Sequence, residues 1–198
     1  MANMNQAGSH IVQCVKCRAK NRIPRARVGS AATCGKCGEP LGTDPDHSDR
    51  PDTLSIRCTT CRTKNRIPAD KIRGTAKCGK CKAALETGEL FTGRPVMTTD
   101  GNFETVVLNS PLPVLLYCWS PGCPACRMAG PIVDQFAAES KGRVRVAKLN
   151  VEANPGVASR YNVMGVPFLF IFDNGQLKES LPGALPKHEI MIKMAKYL

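Results

Sequence analysis

Trp119-Ser120-Pro121-Gly122-Cys123-Pro124-Ala125-Cys126-Arg127 joins two stretches of different periodicity, and that junction decides the fold. Upstream, Val114-Leu115-Leu116-Tyr117-Cys118-Trp119 is a continuous apolar run of strand length, as a strand covered on both faces requires. Downstream, Met128, Ile132, Val133 and Phe136 recur at helical spacing and predict a helix from about Cys123 to Ser140. The cysteine pair therefore sits where a strand turns into a helix. Val144-Arg145-Val146-Ala147-Lys148-Leu149-Asn150 alternates as the next strand, and residues 155–161 read as a short helix. Phe168–Phe172 and Gln176–Leu181 flank Asp173-Asn174-Gly175, whose Asn-Gly pair signals a hairpin. Pro186 opens a last helix with Ile190, Met191, Met194 and Leu198 on one apolar face. A βαβ unit, a hairpin and a closing helix predict an α/β domain over residues 91–198, a central mixed sheet flanked by helices.

The remaining 90 residues differ in kind. The chain has 198 residues, 28 Lys plus Arg against 16 Asp plus Glu, a formal charge of +12 and 11 cysteines. At 42% hydrophobic and 22% charged, the composition is globular and excludes wholesale disorder. No apolar run approaches the ~20 residues of a membrane span, so no membrane association is expected. Met1-Ala2-Asn3-Met4-Asn5-Gln6 has neither the basic nor the apolar segment of a secretory signal. The expected compartment is the cytoplasm, where clustered thiols indicate metal or redox chemistry rather than structural disulfides.

Ten of the 11 cysteines form five C-x-x-C pairs, at 14/17, 34/37, 58/61, 78/81 and 123/126, and Cys118 is left over. The first four pairs belong to a repeat. Residues 11–41 and 55–85, offset by 44, share 14 of 31 positions, including Asn-Arg-Ile-Pro and Cys-Gly-Lys-Cys. Each copy reads C-x2-C-x16-C-x2-C, two knuckles closing a tetrahedral four-sulfur shell at the spacing of a zinc ribbon. The glycines of Cys34-Gly35-Lys36-Cys37-Gly38 and Cys78-Gly79-Lys80-Cys81 are expected to supply unusual φ cheaply. Iron fits the same four cysteines. Four sulfurs leave no open position for water, so each site is expected to be structural. The organisation that follows is a flexible tail at 1–10, a first ribbon at 11–42, an acidic, Pro-containing linker at 43–53, a second ribbon at 54–87 and the α/β domain at 91–198. Residues 1–90 carry a net +9, but a four-thiolate Zn²⁺ site is formally −2, and neighbouring Lys and Arg offset it. No aromatic side chain lies in residues 1–90 to stack on bases. Nucleic acid is therefore not the expected partner.

The third segment resembles the thioredoxin family. The resemblance rests on the Trp119–Arg127 segment, then Lys148-Leu149-Asn150-Val151-Glu152, Tyr161-Asn162-Val163-Met164-Gly165-Val166-Pro167, Phe172-Asp173-Asn174-Gly175 and Gly183 in order and spacing. Cys14–Cys37 is similar to the N-terminal zinc module of bacterial thioredoxin 2 proteins, and here it occurs twice. The resemblance implies a thioredoxin fold preceded by two zinc ribbons, with Zn²⁺ at Cys14, Cys17, Cys34 and Cys37 and at Cys58, Cys61, Cys78 and Cys81. It also implies a redox-active Cys123–Cys126 disulfide, with Cys123 as nucleophile and Cys126 as the resolving thiol. Trp119, Pro124, Ala125 and Lys148 support the site, and the Val166–Pro167 bond is expected to be cis. The implied partners are protein disulfides and thioredoxin reductase, and the chain is expected to be monomeric.

Four residues depart from the family pattern. Pro124-Ala125 replaces Gly-Pro, leaving an Ala125 N–H to donate to the Cys123 sulfur and predicting a more oxidising couple, suited to an oxidant or isomerase. Tyr117 stands where most thioredoxins carry a buried Asp, and Gly122 where they carry a second Trp. The first change predicts a slower Cys126 step, the second a weaker hydrophobic rim around Cys123, and together they predict less efficient recycling. A reading from another class makes the ribbons the main function, binding a protein partner or nucleic acid beside a redox-responsive domain of low activity. Cys118 reads as a small core residue, and His10, His47 and His188 have no ligand spacing.

Overall fold

In a computed structural model, residues 9–14, 16–24, 32–41, 53–68 and 76–198 are described. Residues 1–8 of the expected tail and 43–52 of the expected linker lie outside them. By contacts the chain divides into two compact units, Met1–Pro51 and Asp52–Leu198.

The first unit contains β1 (Ser9–Gln13), β2 (Lys20–Pro24), β3 (Ala32–Thr33) and β4 (Pro40–Leu41), paired as two antiparallel hairpins. Its buried cluster is Cys14, Ile23, Cys34 and Leu41, only two of which are not cysteines. So small an apolar core cannot offset the entropy of ordering the chain.

The second unit opens with the second ribbon, β5 (Thr53–Arg57) and β6 (Lys64–Pro68), whose register repeats that of the first copy. It continues with β7 (Val96–Thr98), β8 (Val114–Trp119), α1 (Pro124–Glu139), β9 (Arg145–Asn150), α2 (Pro155–Arg160), β10 (Phe168–Asp173), β11 (Gln176–Pro182) and α3 (Lys187–Ala195). The sheet order is β11-β10-β8-β9-β7, with β7, β8 and β9 parallel and β10 and β11 antiparallel. This is the mixed sheet expected from the βαβ-plus-hairpin pattern. Asn174 and Gly175 take φ of 55° and 75°, as the two-residue hairpin demands.

β8 is buried from Val114 to Cys118 because each face meets its own layer. Leu115 and Tyr117 point into a cluster with Cys126, Ala129, Val133 and Phe136 of α1 and Ile190 and Met194 of α3. Val114, Leu116 and Cys118 point into the opposite cluster, with Phe103, Val107, Val157, Phe170 and Phe172. Two expected helix faces shift. Met128 is 71% exposed, because the buried stripe of α1 runs 126, 129, 133, 136, 137. On α3, Ile190 and Met194 are buried while Met191 and Leu198 are not. One position along a helix turns a side chain by about 100°, which carries Met128 and Met191 off the buried stripe.

The stretch expected as a boundary at 87–92 is a seam. Leu90 and Leu112 are buried in one cluster with Leu54, Ile56, Ile67 and Leu85 of the second ribbon, and Phe91 packs on it. Arg57 N–H donates to Pro111 O at 2.8 Å, and the Arg57 guanidinium meets Asp173 at 3.0 Å. Arg62 donates to Leu108 O at 2.9 Å and Asn174 Oδ1 at 3.1 Å. These partners lie where β8 begins and β10 ends. The second ribbon thus covers the pole of the sheet opposite Cys123, which follows the far end of β8.

Candidate redox site and metal centres

Cys123 is the N-cap of α1 and Pro124 its first residue, where a missing N–H costs nothing. Cys123 and Cys126 are joined as a disulfide with their Cα atoms 5.2 Å apart. Cys123 is half-buried and Cys126 is 4% exposed, so one sulfur of the pair faces solvent and the other the core. The Cys123 sulfur accepts an N–H from Cys126 at 3.0 Å. Ala125, expected as that donor, has no such bond among the described residues. The cap bond runs to N3, the other amide an N-cap side chain reaches, and the disulfide draws the sulfur toward it.

Val166–Pro167 is a cis peptide, and Val166 O lies 3.6 Å from the Cys123 sulfur. Pro167 is buried, Val166, Trp119 and Ala125 are half-buried, and Pro124 is exposed. Trp119 packs against the same cluster as Cys123, and its buried indole N–H has no partner among the described residues. Gly122 is open, with nothing within 4 Å of the position its Cβ would take.

Beneath the disulfide, Tyr117 Oη donates to Cys126 O at 2.8 Å. Burial, with the charge of Asp134 behind it, pushes this phenol up to about 12, so it remains a donor at neutral pH. Lys148, opposite Tyr117 in the β8–β9 register, forms an ion pair with Asp134 of α1. The carboxylate missing at position 117 is replaced for Lys148 by one on the helix. Tyr117→Phe removes one donor from a buried carbonyl and is expected to cost about 1 kcal/mol, read as a lowered denaturant midpoint with unchanged slope. Cys118 is fully buried on the other face, and burial pushes its thiol up to about 12, consistent with a core role.

The ribbon cysteines converge as two sets of four, Cys14, Cys17, Cys34 and Cys37, and Cys58, Cys61, Cys78 and Cys81, each with its sulfurs within 4.8 Å of one another. The pairs 14/37 and 17/34 stand 3.5 Å apart, and 58/81 and 61/78 stand 3.6 Å apart. A sulfur tetrahedron around Zn²⁺ at 2.3 Å has edges of about 3.8 Å, so both sets fit the ion. All four knuckles share one geometry. The first cysteine O accepts from the residue four positions on (Arg18, Gly38, Arg62 and Lys82), at 2.9–3.0 Å. Those four residues take φ of 58–70°. The expectation that glycine supplies the unusual φ is thus met only at Gly38. Gly35 and Gly79 instead donate N–H to Asn21 and Asn65 Oδ1, each at 2.9 Å. Each Asn also donates to a cysteine sulfur of its own set, Cys34 at 3.5 Å and Cys78 at 3.6 Å. The site residues missed from sequence are these two asparagines, which orient ligands in each copy, and their shared Asn-Arg-Ile-Pro context was the available signal.

Protons are shared unequally within each set. The Lys36 amide holds the Cys34 thiol down at about 6, and the Cys81 and Lys80 amides do so for Cys78. Despite the Glu39 and Ala83 amides, burial and neighbouring thiols push Cys37 and Cys81 up to about 12. Holding all four sulfurs of a set as thiolates at once would take a cation at their centre.

A family model described as Thioredoxin matches residues 94–196, the span from just before β7 to the end of α3. The chain belongs to the thioredoxin family. A second model, for the N-terminal zinc ribbon of Thioredoxin 2, matches residues 13–39 and again 57–83, so the duplicated module is of that type. The chain is 42% identical over 100 residues to the thioredoxin of Synechocystis sp., covering 50% of this chain and 94% of that protein. It is 41% identical over the same length to thioredoxin 1 of Nostoc sp., with the same coverage. The chloroplastic M-type thioredoxin of Spinacia oleracea is 38% identical over 99 residues, covering 50% of this chain and 55% of the relative. Membership in this family makes the C-terminal domain a thiol–disulfide oxidoreductase.

Proposed function

We propose that the chain reduces or exchanges protein disulfides through Cys123 and Cys126, with a structural Zn²⁺ in each ribbon. The observation that carries this is the asymmetry of the disulfide, with Cys123 at a helix N-cap beside the Val166 carbonyl and Cys126 in the core. In the dithiol form, the helix N-terminus favours a Cys123 thiolate. That thiolate attacks one sulfur of a substrate disulfide, forming a mixed disulfide and expelling the other substrate sulfur, which takes a proton. Cys126 then loses its proton and attacks the Cys123 sulfur. The Cys123–Cys126 bond forms, the second substrate thiol leaves, and two electrons have passed to the substrate. Val166 offers its main chain beside the reacting sulfur, a contact that selects for extended segments rather than particular side chains. Zn²⁺ would supply the folding energy of the ribbons, held by the eight cysteines named above. The reading places the chain in a reducing cytoplasm, with thioredoxin reductase returning electrons. Dithiol-driven insulin reduction by the full chain tests it, turnover being expected and its absence contradicting it.

The sequence between the cysteines sets the potential. The Cys126 N–H donor survives any residue at 125, whereas the Ala125 N–H, free to serve a Cys123 thiolate, is lost if 125 becomes proline. A hydrogen bond to a charged sulfur is worth about 1.5–3 kcal/mol, or about 30–60 mV for a two-electron couple. Pro124→Gly/Ala125→Pro is expected to become more reducing by that amount in a glutathione titration. Equal potentials would remove the Ala125 donor from the explanation.

A further inference from the structure

The two ribbons are copies in their knuckles but not in the residue that reaches beyond them. Arg57 directly precedes the first ligand of the second copy. Its Nη2 and Nε lie 3.0 and 3.4 Å from the two oxygens of Asp173, both side chains largely buried. The equivalent residue 44 positions earlier is Gln13, whose exposed amide donates to Arg18 O of its own ribbon at 3.0 Å. The flanking positions differ as well, with Leu54 and Ile56 of the second copy matched by His10 and Val12 of the first. Leu54 and Ile56 are 2% and 1% exposed, closed over by Leu90 and Leu112 of the redox domain. Arg62 is matched by Arg18, so the discrimination rests on Arg57 and the two apolar side chains.

A ribbon of this size is unfolded without metal. Without metal the second copy cannot present Leu54, Ile56 and Arg57 together. Docking therefore favours the metal-bound second ribbon, and by reciprocity the metal favours the docked redox domain. We propose that the pole formed by residues 108–112 and Asp173–Asn174 is a recognition surface for the metal-loaded second ribbon. The second metal ion is thereby a stabilising element of the redox domain, whereas the first copy, with Gln13 in place of Arg57, lacks the residue that meets Asp173.

The test uses the full chain loaded with zinc and held oxidised at Cys123–Cys126, with release followed by a colorimetric chelator. Two zinc equivalents leaving in two phases are expected, the second site slower by about tenfold or more, the factor that each 1.4 kcal/mol of docking supplies. Arg57→Gln, which installs the first copy's residue, is expected to speed the slow phase and leave the fast phase unchanged. Asp173→Asn breaks the same ion pair from the redox domain and is expected to do the same, which separates lost docking from damage to the ribbon. Trp119, the single tryptophan, reports unfolding of the redox domain. Both variants should lower that midpoint in zinc-loaded protein and match the parent once zinc is stripped. A single release phase would overturn the proposal, as would both phases moving together, or an equal loss of midpoint in stripped protein. Fewer than two zinc equivalents would overturn it along with the two-zinc reading.

Discussion

Cys123→Ser is expected to abolish disulfide reduction completely, leaving only the background of the dithiol itself. The hydroxyl that replaces the thiol does not ionise near neutral pH, so nothing attacks the substrate, however intact the fold. Cys126→Ser should fail one step later. Cys123 still attacks, but the core-facing sulfur that would release the product is gone, and the mixed disulfide accumulates. Non-reducing mass spectrometry should therefore find substrate covalently attached at Cys123 in Cys126→Ser and none in Cys123→Ser. Trapping on a ribbon cysteine, or turnover surviving in Cys123→Ser, would relocate the chemistry. Neither variant should unfold the domain, since each exchanges one sulfur for an oxygen and leaves the rest of both packed faces unchanged.

Removing metal is the second large effect. Among the described residues of the first ribbon, Ile23 and Leu41 are the only buried ones besides cysteines of the four-sulfur set. Burying each contributes about 1.5–3 kcal/mol, whereas a structural Zn²⁺ supplies about 10–16 kcal/mol at neutral pH. A Zn²⁺ bound there would therefore decide whether the ribbon is folded. Chelation is expected to erase hydrogen-exchange protection at the knuckle amides of Arg18, Gly38, Arg62 and Lys82, which bond to cysteine carbonyls in the folded form. Amides of β8 and β10 should stay protected, because their pairing is buried between two apolar layers. Knuckle amides that remain protected in metal-free protein would show that the ribbons fold by other means.

Much of this was legible in the chain because it is written in local patterns. Val114–Trp119 could only be a buried strand, Cys123–Pro124 opened a helix, and Asn174-Gly175 closed a hairpin. The four-cysteine spacing, repeated at an offset of 44, located both sulfur sets. What stayed hidden depends on pairs distant in sequence. Nothing near Arg57 announces Asp173, 116 residues away, and only the mismatch with Gln13 hints that the copies differ in surroundings. Lys148 was considered without Asp134, because an exposed helical acid gives no sign of which strand residue it meets. The positive φ at Arg18, Arg62 and Lys82 is not legible in the sequence, because neither arginine nor lysine marks a left-handed residue as glycine does. There the knuckle geometry overrides the local preference of an arginine or lysine. Met191 and Leu198 were misplaced for a simpler reason, since apolar identity alone does not say where a short stripe ends.

One measurement bears most directly on the division of the 11 cysteines into redox and metal-holding groups. The zinc-loaded chain is equilibrated across a series of glutathione redox buffers, quenched by alkylation, and the modification at each cysteine is read by mass spectrometry. Cys123 and Cys126 are expected to titrate together as one two-electron couple, while the eight ribbon cysteines and Cys118 hold constant across the same range. Ribbon cysteines that oxidise in step with Cys123, or a Cys123 that fails to pair with Cys126, would contradict that division.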